Sequence, residues 1–243
     1  MTCKQTVIMK PEIICHIMSS VDGRLLPSRW TAPFDGTDAG ELFKEYAVIG
    51  RALGADAWMF GKATTSEMFP EKFVPATDSH PRAGKIFVGA RDSSRLFITI
   101  DPDADILYTS SRLRGDNILI ILGVNATDDY LAMLEEKGIS YIVAADPMTP
   151  GEVMTALYDT FGVRRISLQG GGIIDGAMLA AGLLDGLSLV MYPGIDGLAS
   201  APSIFEYMGK AGERPAAGQT LQLLSAERRP HGIVWLRYKI HHF

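Results

Sequence analysis

Along this 243-residue chain, short apolar runs rich in β-branched residues alternate with stretches whose apolar positions recur every three or four residues. That alternation predicts strands and helices in turn, an α/β protein built on a sheet. The first strand, residues 13–18, closes on Ser19-Ser20-Val21-Asp22-Gly23, where Asp-Gly supplies turn chemistry. Leu42, Tyr46, Ile49 and Leu53 mark the buried face of a helix over 38–53, with Thr37 as its expected cap and Glu41 in its first turn. A strand at 57–60 and a helix starting near Thr64 follow. Residues 70–94, with Pro70, Pro75 and Pro81, are the least regular part of the chain. Strands are expected at 96–100, 106–108, 118–122, 141–144, 165–168 and 187–191, and helices at 128–137, 150–161 and 173–181. Two terminal β-rich runs, 220–226 and 232–240, have only a turn between them, so they pair antiparallel and make the sheet mixed. The one candidate boundary, 209–218, is weak, and the expectation is a single domain over 1–243 with a frayed segment 1–10.

Composition narrows the classes. A hydrophobic fraction of 47% and a charged fraction of 21% suit a soluble protein with a sizeable core. The net charge of -5 leaves no basic footprint for nucleic acid or an anionic membrane surface. Two cysteines, Cys3 and Cys15, do not make a disulfide framework, and such sparse usage is what a reducing compartment permits. The first residues lack the apolar core of a signal peptide, and no run reaches the ~18 apolar residues of a membrane helix. The expected location is the cytoplasm.

Chemistry concentrates at Gln169-Gly170-Gly171-Gly172, between an apolar strand and an amphipathic helix. Glycines let the backbone approach a phosphate, and a helix start offers unpaired N–H groups. A tight strand-to-helix turn would use the same residues, and the spacing is not the G-x-G-x-x-G of Rossmann units. No histidine or cysteine cluster has metal-ligand spacing, and no G-x-S-x-G elbow suggests a hydrolase. His16 interrupts an apolar strand, where a hydrogen-bonded structural histidine is the plainer reading.

Several segments together carry a resemblance. Ser20-Val21-Asp22-Gly23-Arg24, Ser28-Arg29-Trp30-Thr31, Arg51-Ala52 and Gly61-Lys62-Ala63-Thr64 occur in that order. They are followed by the glycine run with Leu179-Ala180-Ala181-Gly182-Leu183-Leu184-Asp185, and by Tyr192-Pro193-Gly194 with Gly197. From about Pro11 to Ile240 this resembles the reductase domain of the bacterial riboflavin-biosynthesis deaminase/reductase family. The resemblance implies a dihydrofolate reductase-like three-layer fold, a central mixed sheet with helices on both faces and an antiparallel C-terminal strand pair. It also implies a homodimer, and residues 187–192 are a candidate interface.

The activity it implies is NADPH-dependent reduction of 5-amino-6-(5-phosphoribosylamino)uracil, with hydride delivered to sugar C1′. Met18, Trp30, Thr64, Gly170, Gly171, Gly172 and Ile173 fall at cofactor-binding positions, and Ser28, Arg51 and His16 at substrate-binding positions. Asp22 and Gln169 fall at catalytic positions, Asp22 with a second role in holding its turn. Asp101, or Ser110-Ser111-Arg112, is placed to meet the adenosine ribose and its 2′-phosphate. There are departures: His16 stands where the family often has Lys, Gln169 where it has Glu, and residues 66–71 lack an expected arginine. The family's zinc deaminase signature is absent from this chain. The alternatives are a dihydrofolate-like or general imine/carbonyl reductase, and a non-catalytic nucleotide-binding protein that lost its acceptor site.

Overall fold

The computed structural model describes residues 9–76, 82–92, 94–146 and 148–243. Cys3, His80, Pro81 and residues 1–8 of the expected frayed segment lie outside these. The chain runs β1 (Glu12–Ser19), α1 (Ala39–Ala52), β2 (Ala57–Gly61), α2 (Lys62–Met68), β3 (Ile86–Phe87), β4 (Leu96–Asp101), β5 (Arg112–Leu113) and β6 (Asp116–Leu122). It continues through α3 (Asp128–Glu136), β7 (Ser140–Val143), α4 (Pro150–Asp159), β8 (Arg165–Leu168), α5 (Gly172–Ala180), β9 (Gly186–Met191), β10 (Gln219–Arg228) and β11 (Val234–His242).

These strands form one sheet in the order β10-β11-β9-β1-β8-β2-β4-β6-β7-β3, with β5 beside β6. From β9 through β7 every neighbouring pair is parallel, whereas β10–β11, β11–β9, β3–β7 and β5–β6 are antiparallel. The sheet is mixed, as expected. β8 inserts between β1 and β2, pairing Ile14 with Ser167 on one side and Trp58 with Ser167 on the other. The loops that leave β9, β1, β8 and β2 therefore emerge side by side.

Alternation along β1 feeds two cores. Ile13, Cys15 and Ile17 join Met59, Ile98 and Ile121 under Val153, Met154 and Leu157 of α4 and Ile174 and Met178 of α5. Each such buried apolar side chain contributes about 1.5–3 kcal/mol relative to exposure. On the opposite face, Met18 and Val190 pack against Leu42, Ile49 and Leu53 of α1, the stripe the sequence marks. Farther along that face, Phe97, Ile118 and Ile120 meet Tyr130, Leu131 and Leu134 of α3. Helices cover both faces, which makes three layers.

Some boundaries differ from expectation for local reasons. Asp38 caps α1, accepting from Gly40 N at 2.8 Å, and the Thr37 hydroxyl lies 3.2 Å from His231 Nδ1. α2 begins at Lys62, so Thr64 is inside it. Residues 106–108 form no strand: Ile106 and Tyr108 are buried, but Ile106 makes only an isolated bridge to Lys72. β9 lies between β1 and β11 and is buried along most of its length, so the 187–192 interface expected for a homodimer has no open strand edge. Residues 209–218 belong to the connection from β9 to β10. Among the described residues, no helix is long and apolar enough to cross a membrane.

Candidate active site

Four of the sequence segments meet at the carboxyl ends of β9, β1, β8 and β2, the end where open parallel sheets place ligands. Gln169 N donates to Met59 O (2.8 Å), and Gly61 N donates to Gly170 O (3.1 Å), which ties the glycine turn to the end of β2. Gly170 has φ +77°, and a Cβ there would stand 2.6 Å from Ile17 Cδ1. The peptide between Gly170 and Gly171 is cis. A Cβ on Gly172 would run into the Ser203 carbonyl, while Gly171 faces open space. No side chain caps α5, so its first N–H groups are left to a ligand or water. Ile173, on that first turn, is 58% exposed.

The loop after β1 and the loop after β9 close into one wall. Val21 N donates to Gly194 O (2.8 Å), Thr31 N donates to Ile195 O (3.0 Å), and Arg29 forks onto Asp196. Asp22 accepts from the Ser20 hydroxyl (2.7 Å) and from the amides of Gly197 (2.8 Å) and Asp196 (3.1 Å). The Ser20, Gly197 and Asp196 donors hold its carboxyl well below the usual range. These bonds make Asp22 the clasp of this wall, the second role expected of it. Trp30 packs on Tyr192 with ring centroids 4.8 Å apart, and its buried Nε1 lacks a hydrogen-bond partner. Ser28 is exposed on a 3-10 turn, Pro27–Arg29, in the same wall.

Beneath the wall runs a chain of polar groups that the strand pattern did not reveal. Trp235 Nε1 donates to Ser188 Oγ (2.8 Å), and Ser188 Oγ lies 3.0 Å from His16 Nδ1. His16 Nε2 lies 3.3 Å from the Tyr46 carbonyl, which can only accept, so Nε2 carries the proton and Nδ1 accepts from Ser188. The His16 and Tyr46 rings stack at 4.2 Å, and the Tyr46 hydroxyl lies beside Gln169. Burial lowers the His16 pKa to about 4, against the opposing hydrogen bonds to Tyr46 and Ser188. With its ring fully buried and both nitrogens engaged, His16 fits the plainer reading of a hydrogen-bonded structural histidine. Gly50 makes room for it: a Cβ there would lie 3.0 Å from His16 Nε2. Tyr46, Ser188 and Trp235 were legible only as core positions.

The remaining expectations divide. Arg51 is exposed on the last turn of α1, next to Gly50, and Thr64 is half-buried in α2. Met18 is buried in the core beneath Leu42 and Trp30. Asp101 ends β4 on the correct side, but it is fully buried, and its Oδ2 accepts from Ile106 N (3.1 Å) and the Tyr130 hydroxyl (3.3 Å). It is closed to a ribose. Arg112 pairs with Asp92 beside the first residues of β6, at the opposite end of the sheet. It cannot meet a phosphate at the glycine turn. A cavity of about 510 Å³ lined by Lys10, Leu53, Asp185 and Lys239 also opens at the far end, away from these segments.

Comparison with known proteins decides the family. The model of the RibD C-terminal domain matches residues 11–235. The chain belongs to the RibD C-terminal domain family. No curated protein sequence matches it. A pyrimidine reductase-like protein from Corynebacterium diphtheriae superposes with a TM-score of 0.67 at 20% identity, covering 96% of this chain and 93% of that one. The Saccharomyces cerevisiae riboflavin biosynthesis reductase Rib7 gives 0.60 at 13% identity, covering 96% and 90%. Acinetobacter baumannii RibD gives 0.60 at 15%, and there this chain spans 58% of the longer protein. At these identities the likeness is one of fold, the dihydrofolate reductase-like arrangement that the resemblance implied. Within the RibD C-terminal domain fold, the glycine turn, the Asp22 clasp and Trp30 surround the same end of the sheet.

Proposed function

We propose that this chain is a nicotinamide-dependent reductase of a ribosylaminopyrimidine phosphate, one domain acting with NADPH as hydride donor. The observation that carries the reading is the convergence of the glycine turn, the uncapped start of α5 and the Asp22 wall at the carboxyl ends of β9, β1, β8 and β2. The fit to a dinucleotide rests on two features of the chain. Gly171 leaves open space where a Cβ would stand at the start of α5, and Trp30 Nε1 is a buried donor without a partner.

In this reading the backbone of Gly170, Gly171, Gly172 and Ile173 holds the cofactor's phosphates, and Trp30 and Thr64 flank it. Met18 supports it from beneath. The bound nicotinamide supplies the hydride. Ser28 and Arg51 bind the acceptor, with the Arg51 guanidinium suited to the 5′-phosphate. Gln169, at the end of β8, hydrogen-bonds the acceptor and holds it against the donor carbon, a task of orientation that needs no protein nucleophile. Arg112 contributes nothing to a preference for NADPH over NADH.

Calorimetry on the purified chain is expected to give saturable NADPH binding. NADPH oxidation is expected to require an added ribosylaminopyrimidine phosphate and to fall at least tenfold in Arg51→Ala, the loss of one charge-assisted phosphate contact (~1.5–3 kcal/mol). No saturable binding of either nicotinamide cofactor would sink the reading. Binding without turnover on any pyrimidine or pterin acceptor would favour the non-catalytic alternative.

A further inference from the structure

Counting protons around Tyr46 exposes a constraint on Gln169. The Tyr46 hydroxyl oxygen lies 2.9 Å from the His16 carbonyl and 3.3 Å from Gln169 Oε1, two acceptors for a phenol that owns one proton. The carbonyl can only accept and is the nearer, so it takes that proton. The contact with Gln169 is then satisfied only if the carboxamide turns over, presenting its NH2 to the phenol oxygen. The nitrogen and oxygen of a carboxamide exchange places by such a turn, and the surrounding donors and acceptors decide between them. Ser167 Oγ, 3.2 Å from the other end of the carboxamide, then donates its proton to Oε1. Ser167 is fully buried on β8, and Tyr46 is held by its stack on His16, so neither partner is free to follow a turning amide. Gly50 closes the remaining side, its ideal Cβ position 3.6 Å from the amide.

We propose that Tyr46 is a positioning residue. It locks the carboxamide of Gln169 in one orientation, leaving one N–H and one lone pair, the complement of an uncharged lactam edge such as a pyrimidinone ring presents. The assignment of that edge to the acceptor rests on the reductase reading above; the Tyr46–Gln169 contact itself does not. Both side chains stay uncharged, so selection at this point is by hydrogen-bond pattern. A freely turning amide would accept either pattern.

Tyr46→Phe keeps the stacked ring and removes only the hydroxyl. The expected result is an acceptor KM raised about tenfold, the order of one hydrogen bond, with a smaller change in kcat and an unchanged NADPH Kd. In a Gln169→Ala background the same substitution is expected to do nothing further. A wild-type acceptor KM, full additivity with Gln169→Ala, or a parallel loss of cofactor affinity would each overturn the proposal. A second readout needs no turnover. The Gln169 side-chain amide pair in a 15N–1H spectrum, identified by its loss in Gln169→Ala, is expected to move in Tyr46→Phe. An unmoved pair overturns the lock whatever the kinetics. A moved pair in a protein that reduces no acceptor supports the lock and removes the reductase reading instead.

Discussion

Asp175 is a costly side chain to bury. It sits in the first turn of α5, fully buried, and neither carboxylate oxygen meets a strong donor. Burial pushes its pKa well up, and the Cys15 thiol alongside offsets only part of that. Burial favours the neutral form in the folded chain, whereas in the unfolded chain the carboxyl ionises in its ordinary range. Folding therefore takes up a proton, and stability falls as pH rises from the ordinary carboxylate range toward the raised folded value. Asp175→Asn removes that slope. Urea unfolding at pH 5 and pH 8 is expected to show wild type losing more stability over this span than the variant; equal losses would refute the assignment. Nothing in the chain's periodicity separated Asp175 from a solvated first-turn acid, because the sequence shows the favourable helix dipole and hides the burial.

At the scale of elements, the turn between β8 and α5 separates two jobs glycine can do. Gly172 is packed against the 203–206 segment, while Gly171 has nothing within 4 Å of where a Cβ would be. Gly172→Ala is expected to destabilise the fold by about 1–3 kcal/mol, since backbone must move to admit the methyl. Gly171→Ala is expected to stay within about 1 kcal/mol of wild type yet weaken NADPH binding about tenfold, because the methyl stands where a phosphate must approach. Chemical denaturation and calorimetry on the two variants decide it, and a Gly171→Ala protein that binds normally would remove the phosphates from this turn. The turn itself was legible from Gln169-Gly170-Gly171-Gly172, and so were α1, α3 and the terminal strand pair, whose periods run over eight residues or more. β3 and β5 were not, because two residues have no period. His16 and Asp22 were found as positions, but not the contacts that hold them. Their partners, Ser188 on β9 and the amides of 196 and 197, lie some 170 residues away along the chain.

Among the described residues, the whole molecule leaves one long sheet edge uncovered. β10 ends the sheet, and Leu221, Leu223 and Leu224 on it are each 53% exposed. A ten-residue edge strand carrying three exposed leucines is a template for another strand. With β9 enclosed, this edge is where we propose that the homodimer implied by the resemblance would form. Leu223→Lys is expected to shift the chain toward monomer in sedimentation velocity while leaving its NADPH affinity intact; a dimer indifferent to this change would move the contact elsewhere. The insertion of β8 between β1 and β2 has a consequence of another kind. The glycine turn leaves a strand made only after residue 165, and β1 finds β9 on its other side only after residue 186. A ribosome that has delivered two thirds of this polypeptide has delivered neither neighbour of β1. The first strand must wait, its apolar sides in need of shelter, until about three quarters of the chain has been made. Truncation before residue 165 is expected to leave β1 with neither neighbour and the chain without its sheet.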